Sequence, residues 1–185
     1  MPKGLLVMSH AMEDVESLAT RALLKRAGFE IITGTFEHTL NIDTAYHLEV
    51  ICDGYMRETH INDFDFLIIP GGPYVKNTID TRHDIQDLAL AFSKKDKLIA
   101  AICAGPRFLG RAGLLEGVDY TAFPGSEEDG KDGNYHPDKA AVTDKNIITS
   151  RGAGTVYAFV HAIVTYYNGE KAADTLLRAI QHPSG

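Results

Sequence analysis

Lys97-Leu98-Ile99-Ala100-Ala101-Ile102-Cys103-Ala104-Gly105-Pro106-Arg107 reads as a strand, a tight turn and the start of a helix. Five consecutive apolar residues flanked by charge suit a strand buried on both faces of a parallel sheet. Pro106 pre-sets φ for the first helical turn. Cys103 then lies between a strand's carboxyl end and a helix's amino end, where N–H groups and the dipole favour a thiolate. A sharp strand-to-helix turn also lifts its side chain out of the layers, as in other nucleophile elbows. The competing reading is a small buried hydrophobe, the role of most free cysteines.

Working outward, short apolar strands alternate with helical periodicity. Residues 4–8 are a buried strand, and Val15, Leu18, Ala19, Ala22, Leu23 and Ala27 form one helix face that Gly28 closes. Residues 29–33 return as a second strand, which makes a βαβ unit with a right-handed crossover. Residues 39–52 alternate in a way that suits a small peripheral hairpin. Residues 64–69 form the next core strand and run into Pro70-Gly71-Gly72-Pro73. A helix is expected over 85–92, then the Cys103 strand, then a helix ending at Gly113. Residues 120–124 read as a short strand or turn, 125–139 as an acidic surface loop, and 140–143 and 146–149 as two short strands. The turn Ser150-Arg151-Gly152-Ala153-Gly154-Thr155 opens a helix over 156–167, and a last one covers 170–180.

The order predicts an α/β doubly wound, mainly parallel sheet sandwiched by helices, with ligands outside the carboxyl ends of the strands. Three loops should meet at one rim: those carrying His10 to Glu16, Gly71 and Gly72, and Cys103. With 185 residues, 44% hydrophobic and 23% charged, the chain fits one domain over 1–185. A net charge of -7 with no basic run argues against nucleic acid or an anionic membrane as partner. Two distant cysteines, Cys52 and Cys103, give neither a disulfide framework nor a zinc spacing, so no metal is expected and a cytoplasmic setting is the default. No apolar stretch suits a signal peptide or a transmembrane helix.

The stretches 100–106, Ile69-Pro70-Gly71-Gly72, Glu13-Asp14-Val15-Glu16 and 149–155 together resemble the ThiJ/PfpI superfamily, and within it the Parkinson disease protein 7 or protein deglycase clade. The resemblance covers nearly the whole chain. It implies a flavodoxin-like fold of the class I glutamine amidotransferase type, a homodimer, no cofactor, and an oxidisable catalytic cysteine at Cys103. It makes Glu16 the acidic partner for proton transfer, and gives the N–H groups of Gly72 and Ala104, in the turn with Gly71, the task of holding an oxyanion. A carboxyl beside a thiolate should titrate with it as a unit, the acid protonated. Without the resemblance, Glu16 reads as a carboxylate complementing a helix dipole.

One departure stands out: the histidine that members of this clade often carry after the cysteine helix is replaced by Phe123. Ala104 follows Cys103, so the adjacent Cys-His pair of the protease-like branch is missing too. A Cys-His-carboxylate triad, and proteolysis with it, is therefore not supported. His10 and His136 each lie in a loop able to approach the site, with a solvated histidine as the other reading. Arg151 is placed to position an anionic group or bridge to a second subunit, or else is a surface arginine. Cys52 matches a position near the family's dimer contact, with a packed strand cysteine as the other reading.

The resulting expectation is a cofactor-independent enzyme of glyoxalase III or deglycase type acting on a small reactive aldehyde or a glycated adduct. The alternative is a redox-sensing or chaperone-like stress protein working through oxidation of Cys103.

Overall fold

The computed structural model describes residues 1–183. β1 (Lys3–Met8) leads through a loop to a π-helical turn (Val15–Ala19) and α1 (Thr20–Arg26), then β2 (Glu30–Thr35). β3 (Asn41–Asp43) and β4 (Glu49–Ile51) form the antiparallel hairpin, and β5 (Gly54–Tyr55) follows. β6 (Phe66–Ile69), α2 (Pro73–Thr78), α3 (Asp84–Ser93), β7 (Leu98–Ile102) and α4 (Pro106–Arg111) form the centre. The remainder is β8 (Asp119–Tyr120), β9 (Asn134–Tyr135), β10 (Ala141–Asp144), β11 (Ile147–Ser150), α5 (Val156–Asn168) and α6 (Glu170–Ala179).

Seven strands form one sheet in the order β10-β11-β7-β6-β1-β2-β5. Every pairing is parallel except β10 with β11. The three adjacent strands β7, β6 and β1 are continuous apolar runs because both faces are covered: residues 5–8, 66–69 and 98–102 are all buried. On α5, Val156, Phe159, Val160, Ile163 and Val164 repeat at helical spacing and are buried. α5 packs with α1 and α6, whereas α3 packs with α4 and against β6 and β7, so helices flank the sheet. The expected α/β class, parallel sheet and small hairpin are therefore present, and the parallel strands aim their carboxyl ends at one rim.

Three local differences matter. The first helix opens with the π-helical turn, which buries Glu16 and Ser17 and leaves Val15 47% exposed, although simple periodicity put Val15 on the core face. The six-residue α2 follows directly on Gly72, with Pro73 at its first position. The acidic loop is more ordered than a free surface loop: β9 pairs with β8, and Asp129, in a 3-10 turn, binds Arg107 and Arg111 of α4.

Candidate active site

β7 delivers Cys103 into a turn at φ 63, the left-handed region, where an L residue carries roughly 1–2 kcal/mol of strain. Neighbouring segments hold it there. The Cys103 N–H donates to Ser150 C=O (2.9 Å), and its carbonyl accepts the Phe123 N–H (2.8 Å). The Gly105 N–H returns to Ile102 C=O (2.9 Å), closing the elbow before α4. The result is a half-buried thiol projecting from the strand end rather than lying in the sheet.

Glu16 reaches the same point from the π-helical turn. Glu13 organises that turn: its carboxylate accepts the Glu16 N–H (2.7 Å), and its carbonyl accepts the Ser17 hydroxyl (2.6 Å). The Glu13 N–H in turn donates to Gly71 C=O (2.9 Å), joining this loop to the end of β6. Glu16 is 1% exposed, and its Oε2 accepts the Gly71 N–H at 2.8 Å. Gly71 is the meeting point of all three loops. A Cβ there would stand 2.7 Å from Cys103 Cβ, 2.7 Å from Glu16 Oε2 and 2.9 Å from Ala104 N. Gly72 is equally constrained, at φ 121 with Glu13 N and Ala11 O where a Cβ would be.

Burial first of all pushes the Glu16 carboxyl up to about 7, and the nearby Glu13 charge adds to this. Its contact with Cys103 and the N–H groups of Gly71 and Ala153 work the other way. The Cys103 thiol is also pushed up, by burial and then by Glu16, with the Ala104 N–H opposing. This corrects the expectation that the helix end alone makes an acidic thiol, since α4 is under two turns long and burial outweighs it. What the site disfavours is two negative charges at once. A thiolate here goes with a proton on Glu16. Burial likewise pushes Cys52 up to about 12, with Asp53 adding to the effect.

The structure places the other named residues as follows. Among the described residues the Gly72 N–H has no protein acceptor, and the Ala104 N–H is directed at the sulfur. His10 is engaged by the hairpin: its Nδ1 accepts the Asp43 N–H (3.1 Å). His136 pairs with Asp119 (3.3 Å) beside the β8–β9 ladder. Neither histidine joins the site, because each is claimed by a local partner. Arg151 does flank it, its guanidinium held by Pro137 C=O (3.1 Å) on the wall of a cleft of about 440 Å³. Phe123, Pro124, Pro137 and Gly152 line the same cleft. Thr155 shapes the floor: its hydroxyl donates to Gly152 C=O (2.8 Å) and accepts the Gly152 N–H (3.0 Å).

Glu13 and Thr155 are the positioning residues that sequence reading missed as such. Their signal was only membership of the Glu13-to-Glu16 and Ser150-to-Thr155 stretches. Among the described residues no group of three or more His, Cys, Asp or Glu side chains is placed to hold a metal ion, and no helix is long and apolar enough to cross a membrane.

Comparison with known proteins bears on the family and the fold. The model of the DJ-1/PfpI family matches residues 3–166. Protein dj-1beta of Drosophila melanogaster is 26% identical over 178 residues, covering 96% of this chain and 95% of its own. A protein of Pyrococcus abyssi named as a deglycase is 29% identical over 170 residues, covering 86% and 96% respectively. In three dimensions the chain matches a crystal structure of a cysteine-to-alanine mutant of a DJ-1 superfamily protein from Salmonella typhimurium. That match has a TM-score of 0.91 and 22% identity, over 99% of this chain and 100% of that one.

Proposed function

The chain belongs to the DJ-1/PfpI family, and from that membership we propose that it is a cysteine-dependent, cofactor-independent protein that converts reactive 2-oxo aldehydes, or releases their adducts from amines. The carrying observation is the Glu16 carboxyl, held by the Gly71 N–H against the Cys103 sulfur with a pKa near neutrality. A base poised near the working pH is the most effective proton carrier. The Pyrococcus relatives named as deglycases support this reading.

In this mechanism the sulfur adds to the aldehyde carbon as its proton passes to Glu16. The carbonyl π pair moves to oxygen, which the N–H groups of Gly72 and Ala104 steady, and the oxygen then takes that proton to give a hemithioacetal. Glu16 next removes the proton from the former aldehyde carbon and returns it to the neighbouring carbon. The hydroxyl proton of the first carbon passes to the neighbouring carbonyl oxygen in the same rearrangement, so the first carbon is oxidised to a thioester and the second reduced to an alcohol with no outside oxidant. Water cleaves the thioester, releasing a 2-hydroxy acid and the thiol. In a glycated adduct the sulfur–carbon bond forms as the carbon–nitrogen bond breaks, Glu16 passes the thiol proton to the departing amine, and the same hemithioacetal then goes on through the thioester to hydrolysis.

The test is lactate release from methylglyoxal by the purified protein. Cys103→Ser should abolish it, and Glu16→Gln should lower kcat by about 10² to 10⁴, the usual contribution of a positioned acid-base group. Because Glu16 acts as a carboxylate, kcat/KM should rise with pH through about 7. A protein that releases no lactate yet accumulates a sulfinate at Cys103 under mild peroxide would favour a second reading, redox sensing. The observation behind that alternative is the same carboxyl, which near neutral pH is protonated often enough to donate to an oxidised sulfur.

The reading also includes a homodimer. Val15, Tyr46, Leu48 and Ile51 expose apolar surface around the hairpin, and Asp14 ties that hairpin to the Glu16 turn through the Thr44 hydroxyl (2.7 Å) and the Tyr46 N–H (3.3 Å). Sedimentation at micromolar concentration checks it, and a monomer there would remove it.

A further inference from the structure

The cleft beside Cys103 is larger and more apolar than a three-carbon aldehyde requires. Its volume of about 440 Å³ falls within the range that holds drug-sized ligands. Phe123 is 53% exposed on its wall, an aromatic ring outside the hydrophobic core. The backbone that carries the ring is tied to the nucleophile, because the Phe123 N–H donates to the carbonyl of Cys103 itself (2.8 Å). Gly152 supplies the relation between ring and nucleophile. The point where a Gly152 Cβ would stand is 3.6 Å from Phe123 Cδ2 and 3.9 Å from Cys103 Sγ. Ring edge and sulfur therefore flank one gap, left open because residue 152 has no side chain. Pro124 and Pro137 extend the apolar wall, and the Arg151 guanidinium stands at the Pro137 side.

Resting on the carbonyl reading above, we infer that the site selects carbonyl electrophiles whose second substituent is an aromatic ring, with Phe123 as the specificity-determining residue. A planar group two bonds from the attacked carbon, on the far side of the neighbouring carbonyl, reaches Phe123 while the attacked carbon is over the sulfur, in the offset or edge-on arrangement that aromatic pairs prefer. A methyl group in the same place leaves the ring uncovered. Phe123 touches the substituent and not the reacting atoms, so it sets selectivity rather than chemistry.

The experiment separates this inference from turnover by using a matched pair of haloketones, phenacyl bromide and bromoacetone. With either, a sulfur–carbon bond forms at Cys103, the carbon–bromine bond breaks, bromide leaves and the thiol proton is released. Labelling of Cys103 is followed by mass spectrometry, and the rate ratio of the two reagents is divided by the ratio they show with glutathione. The wild type should favour the aryl reagent about tenfold, the scale of one aromatic contact plus partial ring burial. Phe123→Ala should bring the ratio to that of glutathione, and Phe123→Tyr should keep most of it. As Phe123 is exposed, truncating it leaves the core intact.

The same order should hold for kcat/KM with phenylglyoxal over methylglyoxal. A wild-type ratio equal to that of glutathione, or one that Phe123→Ala does not change, would overturn the inference. Aryl-selective labelling without consumption of either aldehyde would uphold the subsite and defeat the catalytic reading. Equal consumption of both aldehydes without selective labelling would do the reverse.

Discussion

Cys52 and Cys103 carry the same thiol in a buried and a half-buried setting, and loss of solvent pushes both up. Their neighbours differ in what they do with a proton. Beside Cys52 is Asp53, whose carboxylate already accepts the N–H and the hydroxyl of Thr33, each at 2.8 Å. It repels a thiolate and offers it nothing. Beside Cys103 is Glu16, itself pushed up to about 7 and able to take the thiol proton. Reactivity here comes from a movable proton next to the sulfur, not from a thiol that is acidic by itself.

The comparison breaks most visibly under alkylation. At neutral pH Cys103 should react with iodoacetamide on the order of 10³-fold faster than Cys52, because the buried Cys52 has to wait for local opening that costs several kcal/mol. Mass spectrometry over a time course reads both sites. Equal rates would mean that neither the accessibility of Cys103 nor its partner carboxyl sets its reactivity.

The next effect is on stability, and its sign is fixed by the direction of the Glu16 shift. Raised from 4.5 to about 7, Glu16 makes the folded protein bind a proton more tightly than the unfolded chain does between those values. The stabilisation this gives is fully present below about pH 4.5 and is lost as pH rises through 7. Relative to wild type, Glu16→Gln should therefore gain on the order of 2–3 kcal/mol above pH 7 and nothing near pH 4. Denaturant unfolding across that range checks it. A variant less stable than wild type at pH 8 would show that the carboxylate is held more favourably than its burial implies.

The smallest effect separates two glycines of the same rim. Gly71→Ala drives a methyl group into Cys103, Glu16 and Ala104, and should cost about 1–3 kcal/mol as overpacking, together with the activity. Gly152 has extended backbone, and a Cβ there would meet only ordinary contacts at 3.6 and 3.9 Å, so Gly152→Ala should change stability by no more than about 0.5 kcal/mol while narrowing the gap between Phe123 and the sulfur. Thermal melts compare the two, and equal losses would mean that the rim is uniformly tight.

Much of this arrangement is legible in the sequence. The runs 5–8, 66–69 and 98–102 are apolar throughout because both faces are covered, and that signal alone gives the parallel sheet and its rim. The Ile102-to-Pro106 turn was readable for the same reason: strand, small residues and Pro at a helix start leave few backbone paths. The π-helical turn was not readable, since its one-residue shift in hydrogen bonding has no compositional mark, and so Val15 was assigned to the wrong face. α2 carried its signal in Pro73, but at six residues it falls below what periodicity detects. The histidines failed differently. A histidine's role depends on which group claims its ring, and the partners of His10 and His136, Asp43 and Asp119, are distant in sequence from the motif.

The left-handed backbone at Cys103 also bears on how the position is inherited. Glycine would occupy that turn without the Cβ penalty of roughly 1–2 kcal/mol. Selection for folding and selection for chemistry thus ask for different letters at residue 103. A screen that rewards only thermal tolerance should return Cys103→Gly, whereas a lineage that depends on the sulfur keeps paying for it in every generation.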